Sequence, residues 1–288
     1  MKDTILIHLD TDAAPSAFDR IVAIDSGVQH LFSYSGVTPD NVMALVHGCI
    51  FTRGPKDLHR TAIFVGGSDV AAGEAVVAAV RKHMIAPARL TVSVMLDSNG
   101  ANTTAVAAVR AANAYLTLGT TKSLVLGGTG PVGQRVARLL ARNGGHVRLG
   151  SRTLDKADAA CRVIRAAVPG AKIEPVAVGS SSDGPAALMG CDLVIAAGAA
   201  GAVLLPRKIR DTAKTLKVMI DLNGVPPAGI EGVELSDQGK DRDGVIAYGA
   251  LGVGGAKMKI HRAAVAALFE SNERVLDVDE IYALAAAI

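Results

Sequence analysis

Residues 123–133, SLVLGGTGPVG, constrain this 288-residue chain more than any other stretch. A short run suited to a buried strand passes into Gly128-Thr129-Gly130-Pro131-Val132-Gly133, and a helical pattern follows at once. With 31 glycines in the chain the G-x-G-x-x-G spacing alone says little, and its setting between strand and helix carries the argument. Gly128 allows a tight turn, Gly130 lets the backbone approach a pyrophosphate, and Gly133 permits close packing of helix on strand. The helix N-terminus adds N–H donors and the positive end of its dipole. The segment therefore predicts a dinucleotide loop, against the plainer reading of an ordinary strand-to-helix turn.

Short apolar runs alternate with helical periodicity from end to end, which is the pattern of an α/β protein. Strands are expected at 4–9, 61–67 and 89–96. After a reset at 117–122 they recur at 123–126, 146–149, 172–176, 193–197, 217–221 and 245–247. Helices are expected from near Pro15, from Thr38-Pro39-Asp40, from Ser68 or Asp69 to Lys82, and over 102–116, 256–271 and 278–287. This predicts an N-terminal α/β substrate domain over 1–120, with C-terminal helices 256–288 packing back on it. A Rossmann-like parallel-sheet dinucleotide-binding domain is expected over 121–255.

Composition removes several alternatives. Half of the residues are apolar, which excludes disorder for the bulk of the chain. A net charge of +3, five Phe, four Tyr and no Trp leave neither a basic footprint nor a stacking platform for nucleic acid. Cys49, Cys161 and Cys191 are odd in number and widely spaced, and read as buried thiols in a reducing compartment. The apolar run 193–205 is short for a membrane span, and the N-terminal residues carry aspartates where a signal peptide needs apolar ones. A soluble, cytoplasmic protein is expected. The seven histidines are scattered and no metal motif is present, so no metal is expected.

The second strand of the nucleotide series ends in Gly150-Ser151-Arg152-Thr153, without the Asp or Glu that commonly bonds a ribose 2′-hydroxyl. Ser151, Arg152 and Thr153 offer donors to a 2′-phosphate instead, so NADP is expected first, with NAD also accepted. The competing reading leaves Arg152 as a solvated loop residue. Ligands of open α/β sheets bind beyond the carboxyl ends of strands, where residues 11–19, 96–104 and 248–263 are expected to converge. Residues 248–263 read as a glycine-rich turn entering a helix. Lys257 and His261 then share one face of its first turns, against the dipole, which calls for an anionic or polar ligand unless the face is merely solvated. Phe18 is core or a ligand wall. Asn102, Thr103 and Thr104 cap a helix or bind substrate, and Asp10 and Asp12 accept from a heterocycle or solvate a loop.

DTDAAPSAFD, VTPDN, TAIFVGG, MLDSNGANTTA, GGTGPVG and GALGVGGAKMKIHRA occur here in that order. With them the chain resembles the NAD(P)-dependent methylene-tetrahydromethanopterin dehydrogenases of methylotrophic bacteria over nearly its whole length. The resemblance implies the two-domain fold of the methylene-tetrahydrofolate dehydrogenases and a homo-oligomer whose active-site cleft also takes residues from a second subunit. It implies direct hydride transfer from the methylene carbon of a tetrahydromethanopterin C1 carrier to nicotinamide, in formaldehyde oxidation. Phe18 becomes a wall against the pterin-side rings, and Lys257 and His261 stand near the reacting imidazolidine. A threonine of the NTT segment joins them, Thr104 in preference to Thr103. Lys257 is either partly deprotonated or held off the reacting carbon by a carboxylate such as Asp97. The alternatives are a methylene-tetrahydrofolate dehydrogenase and an NADP-binding regulator without turnover.

Overall fold

The computed structural model describes residues 2–179 and 183–288, which form two compact α/β units. One comprises the chain up to Thr103 together with Met258–Ile288, and the other is Thr104–Lys257. In chain order the first unit supplies β1 (Ile5–Asp10), α1 (Ala17–Asp25), β2 (His30–Tyr34), α2 (Met43–Phe51), β3 (Thr61–Gly66), α3 (Val70–His83), β4 (Ser93–Leu96) and the start of α4 (Ala101–Asn113). The second unit supplies β5 (Lys122–Leu126), α5 (Pro131–Arg142), β6 (His146–Ser151), α6 (Leu154–Ala167), β7 (Ile173–Ala177) and α7 (Asp183–Leu188). It continues with β8 (Leu193–Ala196), α8 (Arg207–Arg210), β9 (Val218–Asp221), β10 (Gln238–Arg242) and β11 (Val245–Tyr248). Helix α9 (Ala250–Ala267) leads back to the first unit, which β12 (Val275–Leu276) and α10 (Val278–Ala285) complete. The division thus falls within α4 and α9, whereas the periodicity of the sequence marks only the start of a new strand near 120.

The first sheet has strand order β12-β4-β3-β1-β2, all parallel. All six residues of its central strand β3 are buried, as a sheet covered on both sides requires. Leu9, Val46, Ile50, Ile63, Val76 and Val94 belong to one core cluster. Pairing of Val275 with Val94 and Leu276 with Met95 ties the C-terminal segment to β4, so the last helix packs on the first unit. Local chemistry starts the helices: Ser16 accepts from the Asp19 N–H at α1, Asp69 from Ala72 at α3, and Asp277 with Glu280 forms a capping box at α10.

The second sheet runs β10-β11-β9-β8-β5-β6-β7, parallel except for the β10–β11 hairpin at one edge. Leu124, Leu126, Val194, Met219, Ile230 and Ala247 pack in its core. Among the described residues no helix is long and apolar enough to cross a membrane. Cys49, Cys161 and Cys191 are all buried and free, and burial pushes the Cys49 thiol up to about 12.

Several expected elements shift. No helix starts at Thr38, because Asn41 accepts the Thr38 N–H (2.8 Å) and donates to the Gly36 carbonyl (3.0 Å), closing a turn, and α2 begins only at Met43. The strand expected over 89–96 shortens to β4 because Arg89 adopts φ 56° in a turn that pairs Ile85 with Leu90. Edge strands β2 and β10 were not expected, since half-exposed HLFSY and polar QGKDR carry no core-strand signature. Helix α9 starts at Ala250, inside the segment read as a glycine-rich turn.

Candidate functional site

Two clusters stand at strand ends, one in each unit. In the first unit, β1 places His8 and Asp10 two residues apart, so both side chains leave the same face of the sheet. Both are fully buried. His8 stacks on Phe64, its register partner on β3, with ring centroids 5.3 Å apart and planes 17° from parallel. Phe64 meets His261 edge-on at 5.5 Å, and His261 in turn meets the half-exposed Phe18 ring at 6.4 Å. Four rings, Phe18, His261, Phe64 and His8, therefore form one row ending in an exposed aromatic surface. Burial lowers the His8 imidazole to about 4; Asp10 pulls it back up and Arg20 adds to the lowering.

Asp97, also buried, accepts from the Asn102 N–H (2.9 Å), the Thr103 N–H (3.0 Å) and the Thr103 hydroxyl (2.6 Å). Its Oδ2 lies 3.7 Å from Nδ1 of His261, the side of the ring that faces the carboxylate. Asn102 gives its amide to the Leu96 carbonyl at 2.6 Å. The expected substrate ligands Asn102 and Thr103 are thus engaged in fixing Asp97 and the start of α4. Thr104 is only half-buried.

Asp10 spends both oxygens on the loop that follows it, accepting from Asp12 N–H (2.9 Å) and Ser16 N–H (2.8 Å). Asp12 accepts from the Ser68 N–H (2.9 Å) and hydroxyl (2.8 Å). Both carboxylates therefore hold loop conformation. Asp19 is the residue that the sequence reading passed over. Its carboxylate, with His8 and Asp10, offers three ligating atoms within 4.8 Å of one another. The signal was faint because helix position 19 and strand positions 8 and 10 share no spacing rule.

Lys257 and His261 lie one turn apart on α9, but about two and three turns into the helix, so the expected conflict with the dipole does not arise. Gly249, just before the helix, and Gly252, in its first turn, are glycines for a packing reason. A Cβ on Gly249 would collide with the Glu234 carbonyl oxygen, and one on Gly252 with that of Asp237.

In the second unit the glycine loop joins β5 to α5. Gly127, not Gly128, takes the left-handed turn (φ 68°), and a Cβ there would lie 2.5 Å from Gly198 Cα. Gly128 donates to the Gly150 carbonyl (2.9 Å), and a Cβ on it would press on Leu149 at 2.6 Å. Gly130 is the N-cap of α5, with Pro131 at the first position. A Cβ on Gly133 would collide with the Gly127 carbonyl oxygen and stand 2.8 Å from Gly128 Cα, so helix and strand touch there. Thr129 gives its carbonyl to Gln134 Nε2 at 2.8 Å, and Val132 follows in the first turn. A Cβ on Gly130 would meet nothing closer than 3.4 Å, which leaves its outer side clear, as a nucleotide phosphate requires.

Arg152 is exposed just past β6, Ser151 is buried with its carbonyl bonded to Val178 N–H (2.8 Å), and Thr153 is the N-cap of α6. Beyond β9, Asp221 accepts from Asn223 and Ile230 N–H groups (both 3.0 Å) and lines a cavity of about 180 Å³, and burial pushes its carboxyl up. This residue too was not read from the sequence.

Residues 17–99 match the family model described as methylene-tetrahydromethanopterin dehydrogenase, N-terminal. The Bifunctional protein MdtA of Methylorubrum extorquens is 47% identical over 291 residues, covering 99% of each chain. The NAD(P)-dependent methylenetetrahydromethanopterin dehydrogenase of the same organism is 31% identical over 303 residues, covering 100% of this chain and 99% of its own. Among solved structures, shikimate 5-dehydrogenase from Listeria monocytogenes, in complex with shikimate and NAD, superimposes with a TM-score of 0.60 at 12% identity, covering 98% of this chain and 96% of that one. Quinate dehydrogenase from Corynebacterium glutamicum, in complex with NAD, does so with a TM-score of 0.54 at 13% identity over 100% of both chains, and at such identities both share the fold alone. With two relatives above 30% identity along its full length, this chain belongs to the methylene-tetrahydromethanopterin dehydrogenase family.

Proposed function

We propose that this protein oxidises methylene-tetrahydromethanopterin to methenyl-tetrahydromethanopterin by direct hydride transfer to NAD(P), with NADP preferred, in the cytoplasm and as a homo-oligomer. The observation that carries this reading is the ring-to-ring placement of Phe18 and His261 at 6.4 Å in a chain kin, over its whole length, to a relative named for that activity.

The nicotinamide, when bound, supplies the two-electron acceptor. Within 128–133 the Gly128 and Gly130 N–H groups close the turn on the Gly150 and Gly127 carbonyls and Pro131 has none, so the N–H groups of Thr129, Val132 and Gly133, with the α5 N-terminus, meet the pyrophosphate of the dinucleotide. Ser151, Arg152 and Thr153 meet the adenosine ribose and its 2′-phosphate. Phe18 offers a flat, half-exposed wall to the pterin rings. His261 and Lys257 face the imidazolidine, and Thr104 adds a hydroxyl that nothing forces into the Asp97 network. The product is an amidinium-like cation, so no strong general base is needed, and orientation with electrostatics does most of the work. Asp97 places negative charge behind His261, on the side that favours a forming cation.

Initial rates with methylene-tetrahydromethanopterin and with methylene-tetrahydrofolate, each against NAD and NADP, test the reading. Turnover of the methanopterin carrier with NADP ahead of NAD is expected. Turnover of folate alone overturns the carrier, and NADP binding without turnover of either carrier overturns the enzyme. A Lys257→Ala variant that loses affinity with kcat intact would remove Lys257 from the chemistry.

A further inference from the structure

The proposed reaction makes no use of the pair of buried groups at the end of β1. Nδ1 of His8 lies 3.4 Å from the Ser33 hydroxyl, which leaves Nε2 as the ring's other nitrogen. That nitrogen is buried, has no hydrogen-bond partner among the described residues, and lies 3.6 Å from Oδ2 of Asp10. A buried imidazole nitrogen left without a hydrogen bond costs free energy that a ligand would recover. Asp19, on the first turn of α1, brings a carboxylate oxygen to within 4.8 Å of both. A Cβ on Gly66 would lie 2.8 Å from His8 Nε2 and 3.0 Å from Asp19 Oδ2, so glycine keeps the space beside both atoms clear.

We propose that His8, Asp10 and Asp19 form a divalent-cation site that takes a first-row transition ion such as Zn²⁺ or Co²⁺. Two atoms 3.6 Å apart, each about 2.1 Å from one metal, subtend about 120° at it, near the tetrahedral angle. The groups around the ligands also suit a metal: the Ser33 hydroxyl holds the imidazole by its far nitrogen, and the Asp12 and Ser16 N–H groups hold the Asp10 carboxylate. Two carboxylates balance a 2+ charge and outweigh the single opposing charge of Arg20, which His8 already feels. The imidazole nitrogen selects a borderline ion over Mg²⁺, which prefers oxygen and water. The ion would be structural and redox-inert, and the site stands on its own geometry whatever the C1 carrier proves to be.

Untagged protein freed of metal with a chelator is titrated with Co²⁺, following its visible ligand-field bands, and with Zn²⁺ and Mg²⁺ by calorimetry. One equivalent of Co²⁺ or Zn²⁺ is expected to bind, with Mg²⁺ at least tenfold weaker. His8→Gln and Asp19→Asn should each weaken Zn²⁺ at least tenfold while circular dichroism and melting report a folded chain. Asp10→Asn is avoided because that carboxylate closes the loop to Ser16. His47 and His83, with ring centroids 6.1 Å apart, are the competing imidazole pair. No saturable binding, binding that His47→Gln abolishes, or less than a tenfold loss in either His8→Gln or Asp19→Asn overturns the proposal.

Discussion

In the second unit the decisive positions around 127–133 are those without side chains. Gly127 turns, Gly128 clears Leu149, and Gly133 lets helix meet strand, so the loop is made of backbone. In the first unit the decisive positions are buried polar side chains: His8, Asp10, Asp97 and His261, each fully or almost fully out of water. The two units thus build the ends of their strands in two ways. A backbone loop costs little once glycines permit the path. A polar floor is stable only where each buried group finds a partner, as Asp97 does with three hydrogen bonds and His8 Nε2 does not.

The sharpest way to break the comparison is to put a side chain where the loop has none. Gly133→Val places methyl groups against the Gly127 carbonyl and should abolish measurable NADP binding, costing about 1–3 kcal/mol of stability besides. Nucleotide titration together with a denaturant melt checks both. Unchanged NADP affinity would show that contact to be dispensable.

The polar floor should give way to acid. His8 is about 4 in the folded chain against an ordinary 6.5, so between those values the unfolded chain binds a proton that the folded chain does not. Its contribution is present above pH 6.5 and is lost as pH falls towards 4, up to about 3 kcal/mol across the window. Denaturant midpoints of metal-free protein at pH 7.5 and 4.5 should differ by that much more in the parent than in His8→Gln. Parallel pH curves would show that His8 titrates normally.

Arg152→Ala separates side chain from backbone within the second unit. It should weaken NADP by about ten- to a hundredfold, the worth of one charge-assisted hydrogen bond, and leave NAD unchanged. An equal loss for both nucleotides would place Arg152 on the pyrophosphate instead.

The smallest effect distinguishes the neighbouring threonines. Thr103→Val strips a hydrogen bond from buried Asp97 and should lower stability by about 1–3 kcal/mol. Thr104→Val should leave the melt nearly unchanged and act on kcat or KM. The reverse pattern would exchange their roles.

The glycine loop was legible because its requirements are local: a strand, a short glycine spacing and a helix start all lie within eleven consecutive residues. Helical spacing singled out Lys257 and His261, the resemblance added Phe18 to them, and the fold sets the Phe18 and His261 ring centroids 6.4 Å apart. The start of α9 was not. Glycine reads as a helix breaker in a linear sequence, and the close approach of Gly249 and Gly252 to the backbone at 234–238, which accounts for glycine at those two positions, is visible only in the fold. Asp19 stayed hidden for a similar reason, since it meets His8 and Asp10 only once α1 has folded beside β1.

By itself, then, the sequence determined the α/β alternation, the place of the glycine loop between strand and helix, and the motifs of the family. Periodicity and turn chemistry act over a few residues, so they survive in the linear order. Tertiary structure alone decided that Asn102 and Thr103 serve Asp97, that Asp10 and Asp12 hold loops, and that four aromatic rings stand in one row from Phe18 to His8. Those assignments depend on which buried donor meets which acceptor across long sequence separations, and only the packed sheet fixes that.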